Sequence, residues 1–172
     1  MATQQERRRT TRRKLIDAAR VRFSADGYQA TGTQAILAGA GVSKGALYHH
    51  YDSKRALFEE VFEEVAREAI EAAIQAGTVA DSPLEGLVET CLAWLREARK
   101  PRRSRILLEL GPSVLGFERA RDIEARYSLR GIEESLRRAE ARGGRSTKVR
   151  GTPGSAGGCP ASAAITTSSI GR

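Results

Sequence analysis

Apolar residues between positions 10 and 142 recur every three to four places, the spacing of one face of an α-helix, and form no convincing strand-like alternation. The first stretch predicts a helix from Thr11 to Ala25, with Leu15, Ala18, Ala19 and Phe23 on one side. Gly27 follows where a left-handed cap is usual. Thr31 or Thr33 can cap a short second helix carrying Ile36 and Ala40, which Gly41 breaks, and Ser43 can cap a short third helix through about His50. Asp52 or Ser53 opens a long fourth helix whose stripe is Leu57, Phe58, Val61, Phe62, Val65, Ala69, Ile70 and Ile74, ended by Gly77. Ser82-Pro83 pairs a cap with proline at the first helical position, so a fifth helix starts there. Its stripe is Leu84, Leu87, Val88, Cys91, Leu92 and Leu95, and Pro101 stops it. A short sixth helix over Ile106 to Leu110 is closed by Gly111-Pro112. A seventh, about 117–141, is expected to bury Ile123, Tyr127, Ile132, Leu136 and Ala139. The fold class that follows is all-α: a three-helix head, then a helical body joined to it through helix four.

Beyond residue 142 the pattern stops. Residues 143–172 hold seven of the 17 glycines and no acidic or aromatic residue. Such a composition buries too little apolar surface to offset chain entropy, so a disordered tail is expected, one that reads like translation in a wrong frame. The organisation expected is therefore a basic disordered arm over 1–10, a DNA-binding domain over 11–71, a partial helical effector and dimerisation domain over 72–142, and the tail.

Charge sharpens this division. Residues 1–55 carry 11 Lys/Arg against four acids, residues 56–142 carry 14 against 17, and residues 143–172 carry four against none. Positive charge at the ends of a mildly acidic body suits a polyanionic partner, nucleic acid or a membrane surface. A membrane is disfavoured: no apolar run approaches the ~20 residues a span needs, and helix one is interleaved with Asp17 and lacks a broad aromatic face. The two cysteines, Cys91 and Cys159, read as free thiols in a reducing cytosol. No catalytic triad, paired-carboxylate site or phosphate loop is recognisable, so neither an enzyme nor a cofactor is indicated. His49 and His50 diverge by ~100° on a helix and have no third ligand near them, which disfavours a metal.

The informative block is Thr33 to His50. Gly41 lets the chain turn sharply between two short helices, and Ile36, Ala40, Val42 and Leu47 lock the second helix against the first. What stays exposed on the third helix is Lys44, Gly45, Ala46, Tyr48 and His49, a short cationic and aromatic face without acids. Such a face suits a helix lying in a major groove among phosphates. Packing of the Tyr48 ring on helix one is the competing reading for that residue. The cluster Arg7-Arg8-Arg9 and Arg12-Arg13-Lys14 is a solvated arm or, beside such a helix pair, a phosphate contact.

These residues resemble the TetR family of bacterial transcriptional regulators. The resemblance is carried by the run Gly41-Val42-Ser43-Lys44-Gly45-Ala46-Leu47-Tyr48-His49-His50-Tyr51, followed by Asp52-Ser53-Lys54 and Leu57. Upstream, Phe23, Gly27-Tyr28 and Thr31 fit the same pattern. The likeness continues more loosely to about 142, with Leu108 to Gly116 similar to a stretch of family ligand domains. It implies a cytoplasmic, nucleoid-associated DNA-binding regulator, most often a repressor released by a small apolar effector. Its operator-facing residues would be Thr31, Thr33, Ser43, Lys44, Gly45, Ala46, Tyr48, His49 and Lys54. Of these, Gly45 and Ala46 would sit against base edges, while Thr31, Thr33 and Lys54 would hold phosphates. Cys91, Trp94, Phe117 and Tyr127 either line an effector cavity or are ordinary core. Arg102, Arg103 and Arg105 are expected to form a solvated face.

Two departures from the family pattern stand out. Leu37 occupies a place where the family usually has alanine, and is expected to overpack the helix contact by ~1–3 kcal/mol unless Ala38 and Gly39 make room. The Gly/Ser/Thr/Arg tail stands where family members usually have two long dimer helices, so a homodimer through that region is not expected here. That departure also sustains the alternative of a defective or decoy protein that binds DNA weakly and without regulation.

Overall fold

The structure, a computed structural model, describes residues 3–80 and 82–141, except for the side chains at positions 83, 134–136 and 138–141. The expected tail, with Leu136 and Ala139 of the seventh helix, lies outside what is described. The described residues are helical throughout: α1 (Gln4–Asp26), α2 (Thr33–Ala40), α3 (Lys44–His50), α4 (Lys54–Gly77), α5 (Pro83–Ala98), α6 (Pro101–Ser104), a π-helical segment (Arg105–Leu115) and α7 (Phe117–Ala141).

α1 begins at Gln4, well before the expected start, so residues 4–10 are helix rather than a disordered arm. Thr3 and Glu6 explain this by forming a reciprocal capping box, which satisfies two of the helix's orphan amides. Neither Thr31 nor Thr33 caps α2: Gly32 stands at that position without a side-chain cap. Ser43, Ser53 and Ser82 do cap the helices that follow them. Pro101 both ends the α5 region and starts α6. The chain then runs as a π-helix through Gly111 and Pro112 to Gly116, rather than stopping at Gly111.

α4 is the spine, packed against α1, α5, the π-helical segment and α7. Its buried face from Leu57 to Ala73 meets Leu15, Ala19 and Phe23 of α1 and, at its other side, Ile106, Leu107, Leu115, Ala120 and Ile123. Phe23, Tyr28 and Phe58 form an aromatic trio with centroids 5.2–5.6 Å apart. Gly111 is required by packing, because a Cβ there would run into the Phe62 ring.

α5 reverses the expected orientation. Ala93 and Ala98 are buried, while Leu84, Leu87, Val88, Leu92 and Leu95 are 45–72% exposed and Cys91 is exposed with them. Small residues explain the inversion. Gly77 and Gly86 let the α4 and α5 backbones approach so closely that a Cβ on Gly86 would lie 2.8 Å from the Gly77 carbonyl oxygen. On α7, Ile123 is buried and Tyr127 half-buried as expected, but Ile132 is 44% exposed.

Candidate nucleic-acid interface

α2 and α3 are joined by Gly41, Val42 and Ser43. Gly41 takes φ 63°, ψ 38°, the left-handed region that glycine enters without a Cβ penalty. The Val42 amide donates to Leu37 O at 3.3 Å, and the Ser43 hydroxyl accepts from the Ala46 amide at 3.3 Å. Leu47 alone among the α3 residues is fully buried, so α3 is held by one anchor and its caps.

Lys44, Gly45, Tyr48 and His49 are exposed, with Ala46 half-buried. Tyr48 is 49% exposed, which sets aside the reading that buries its ring, and the Lys44 ammonium lies 5.9 Å from that ring's centroid. α1 contributes to the same side of the head. Burial, then the neighbouring charges of His49, Arg8 and Arg12, hold the His50 imidazole below its ordinary pKa, so the basic start of α1 acts on the C-terminal end of α3. Tyr51, buried just beyond, has its phenol pushed up, first by burial and then by Glu60. Glu60 is paired at 2.5 Å with Arg12.

Two residues expected to hold phosphates are engaged within the head. Thr31 is 1% exposed, and its hydroxyl donates to Gly27 O at 2.6 Å, so that side chain locks the α1–α2 turn instead of facing outward. The Lys54 ammonium donates to Tyr28 O at 2.9 Å and Thr31 O at 3.1 Å and stacks 4.3 Å over the Tyr28 ring. Two of its three N–H groups thereby tie the start of α4 to the turn, leaving one for a phosphate. Thr33 is half-buried and Ser43 exposed.

Leu37 is buried. The close approach of the two helices falls at Gly39, where a Cβ would stand 3.4 Å from that of Ala18, an ordinary contact.

The four effector candidates sit in different surroundings. Cys91 is exposed, Trp94 half-buried, and Phe117 67% exposed at the start of α7, while the Tyr127 hydroxyl donates to Glu63 at 2.7 Å. An open apolar groove lies instead where α4 meets α5, lined by Ala76, Val79, Ala80, Leu84 and Val88 with Glu85 and Glu89 at its rim.

The links between head and body were not evident from the sequence. Arg105 and Arg103 do not form a solvated face. Arg105 donates to the Ser24 and Ala25 carbonyls, orphan acceptors at the C-terminus of α1, where a cation is favoured. Arg103 pairs with Glu97 of α5 and Glu68 of α4. Arg55 of α4 donates to Val114 O and Leu115 O at 3.2 and 3.1 Å, closing the π-helical segment. Arginines followed by carbonyls far away in sequence leave no local pattern that would have revealed them.

Comparison with known proteins agrees with this geometry. Residues 15–61 match the model of bacterial regulatory proteins of the tetR family, and residues 84–145 match that of a tetracyclin repressor-like C-terminal domain. The chain is 36% identical over 61 residues to the HTH-type transcriptional regulator UidR of Escherichia coli K12, covering 36% of this chain and 31% of that protein. It is 31% identical over 97 residues to the HTH-type transcriptional repressor KstR2 of Mycolicibacterium smegmatis, covering 56% and 47%. The matched stretches thus span less than half the length of these curated relatives. A TetR-family regulator from Pectobacterium atrosepticum superposes with a TM-score of 0.67 at 29% identity, over 83% of this chain and 72% of that one. Another, from Marinobacter aquaeolei, reaches 0.63 at 20% identity over 81% and 73%, a likeness of fold.

Proposed function

Because the chain belongs to the tetR family of bacterial regulatory proteins, we propose that it binds a DNA operator through α3 and represses transcription until a small apolar molecule binds the body. The observation that carries this reading is the exposed, acid-free face of α3. Lys44 and Tyr48 stand one turn apart there, Gly45 and His49 lie beside them, and Arg8 and Arg12 of α1 add positive charge at its end. The shape admits a major groove and the charge suits flanking phosphates. Gly45 and Ala46 keep the helix slim enough for its backbone to approach base edges.

Release by an effector is supported by the way α4 is fastened at both ends. Lys54 and Arg55 tie its start to the head and to the π-helical segment, and its last turns enter the body beside α5. A molecule that displaces the body end of α4 would therefore move α3, and two heads whose spacing changes no longer fit adjacent major grooves.

The test is fluorescence anisotropy on DNA from upstream of the protein's own gene, over a range of salt. Specific binding that weakens steeply with salt, and is lost on competition with the same fragment but not with unrelated DNA, is the expected result. Equal competition by unrelated DNA would leave the decoy reading in place and end the regulator reading.

A further inference from the structure

The basic residues of α1 fall into two sets. Arg12 pairs with Glu60, Arg13 with Asp17 and Glu64, Arg20 with Glu68, and Arg22 with Asp26. Arg7, Arg8, Arg9 and Lys14 hold no carboxylate among the described residues. Glu6 is the one acid before Asp17, and its carboxylate is turned to the Thr3 amide at 2.6 Å.

The unpaired set stands on a projecting stretch of helix. Leu15 is the first buried residue of α1, and the helix before it runs about 16 Å at ~1.5 Å per residue. Residues 4–10 are all exposed, and the capping box of Thr3 and Glu6 closes their free end. Helical spacing gives the direction. Arg8 precedes Arg12, Leu15 and Ala19 by four, seven and eleven residues, so it lies on the face of α1 that packs on the head. Accordingly, the charges of Arg8 and Arg12 bear on the His50 imidazole at the end of α3. The projecting turns thus stand at the C-terminal end of α3, next to the face that carries Lys44 and Tyr48.

Cations held clear of the body and away from acids suit a polyanion. Residues 4–14 include no apolar side chain, so nothing there would enter a lipid surface. Phosphates of one DNA strand recur every ~3.4 Å along its axis, and the projecting helix is long enough to follow roughly four of them. We propose that these first turns of α1 make a second DNA contact, a helical rail along the operator backbone at the C-terminal end of α3. The contact rests on the reading of α3 as the operator-facing helix. It adds affinity without reading sequence, and it depends on the turns being helical as well as charged.

The experiment is fluorescence anisotropy of the full chain on the upstream fragment and on an unrelated duplex of equal length, each over a range of salt, with circular dichroism recorded on every variant. Arg7→Gln, Arg8→Gln and Arg9→Gln combined keep the helix, since glutamine is a good helix former. The triple variant is expected to weaken both complexes by the same factor, roughly tenfold or more at low salt, and to lower the salt slope by about two or more. Thr3→Ala keeps every charge but removes the cap, and is expected to weaken both complexes several-fold, whereas Thr3→Ser keeps the cap and binds as the unsubstituted chain does. An unchanged salt slope in the triple variant would overturn the proposal. So would a loss confined to the upstream fragment, which would make these arginines base readers, or full affinity in Thr3→Ala, which would make them a loose arm. Binding that depends on Lys44 and Tyr48 but not on the arginines ends this contact alone. A chain that binds neither duplex ends the operator reading on which it rests.

Discussion

Arg20 and Glu68 meet fork to fork: two guanidinium N–H groups of α1 donate to the two carboxylate oxygens of α4, each at 2.8 Å. Arg103 of α6 approaches the same carboxylate at 3.4 Å and also pairs with Glu97 of α5. Four helices thus share one partly screened cluster, and Glu68 is its centre.

Removing that centre should be costly. Glu68→Ala leaves Arg20 and Arg103 without their shared partner and is expected to destabilise the fold by about 1–3 kcal/mol, the range for polar groups left without a partner, read from urea unfolding. The hydrogen bond from Arg20 holds the Glu68 carboxyl below its ordinary pKa. A depressed acid contributes stability that is present above its unfolded value, about 4.3, and is lost as pH falls through the folded one. The destabilisation by Glu68→Ala should therefore shrink as pH is lowered below about 4. A difference independent of pH would show that the carboxylate's charge is not what matters.

Lys44→Ala and Tyr48→Ala are expected to weaken operator binding while leaving helicity unchanged, because both side chains stand clear of the core. Lys44→Ala should also reduce the slope of log affinity against log salt by about one, as the loss of one phosphate contact does. Unchanged affinity for both variants would mean that a different face of the head meets DNA.

Leu37→Ala tests what the sequence comparison and the structure read in opposite senses. The family pattern suggests an overpacked leucine, whose truncation would raise the melting temperature. In the structure Leu37 is a buried member of the core, and the close α1–α2 approach falls at Gly39. Truncation is therefore expected to open a cavity and cost about 2–5 kcal/mol. A higher melting temperature would restore the overpacking view.

Gly111→Ala places a methyl group against the Phe62 ring in the core. A destabilisation of about 1–3 kcal/mol is expected. Phe62→Leu costs stability alone, yet in the double variant part of that loss should be recovered, because the smaller side chain makes room. Strict additivity in a double-mutant cycle would show that the two positions do not meet.

His50 supplies a second pH dependence. Burial first, and then the positive neighbours His49, Arg8 and Arg12, depress its pKa, so the unfolded chain takes up the proton more readily than the folded one. Stability from this residue is complete above the unfolded value near 6.5 and declines as pH falls below it. His50→Gln should flatten the melting temperature between pH 7 and 5 relative to the unsubstituted chain. Parallel curves would assign the acid sensitivity elsewhere.

The sequence by itself determined the helical class, the order of the main helices, the caps at Ser43 and Ser82, and the face that α3 shows to solvent. Each of these rests on interactions within about four residues, which periodicity and capping chemistry express directly. The tertiary structure decided everything that depends on a distant partner. Periodicity reveals that α5 has an apolar side, but only the Gly77–Gly86 contact turns that side outward. Thr31 and Lys54 carry groups that suit a phosphate, yet their hydroxyl and ammonium are claimed by carbonyls that only the folded turn presents. Arg105 reads as one more surface cation until the fold brings it to the Ser24 carbonyl, 81 residues away. Cys91, Trp94, Phe117 and Tyr127 share a chemistry that suits a cavity, but their directions are set by α5 and α7, which turn Cys91 and Phe117 to solvent and Tyr127 towards Glu63. A side chain's type is written locally, whereas the atom it meets is fixed by how the helices pack, and the roles of Thr31, Lys54 and Arg105 follow from that packing.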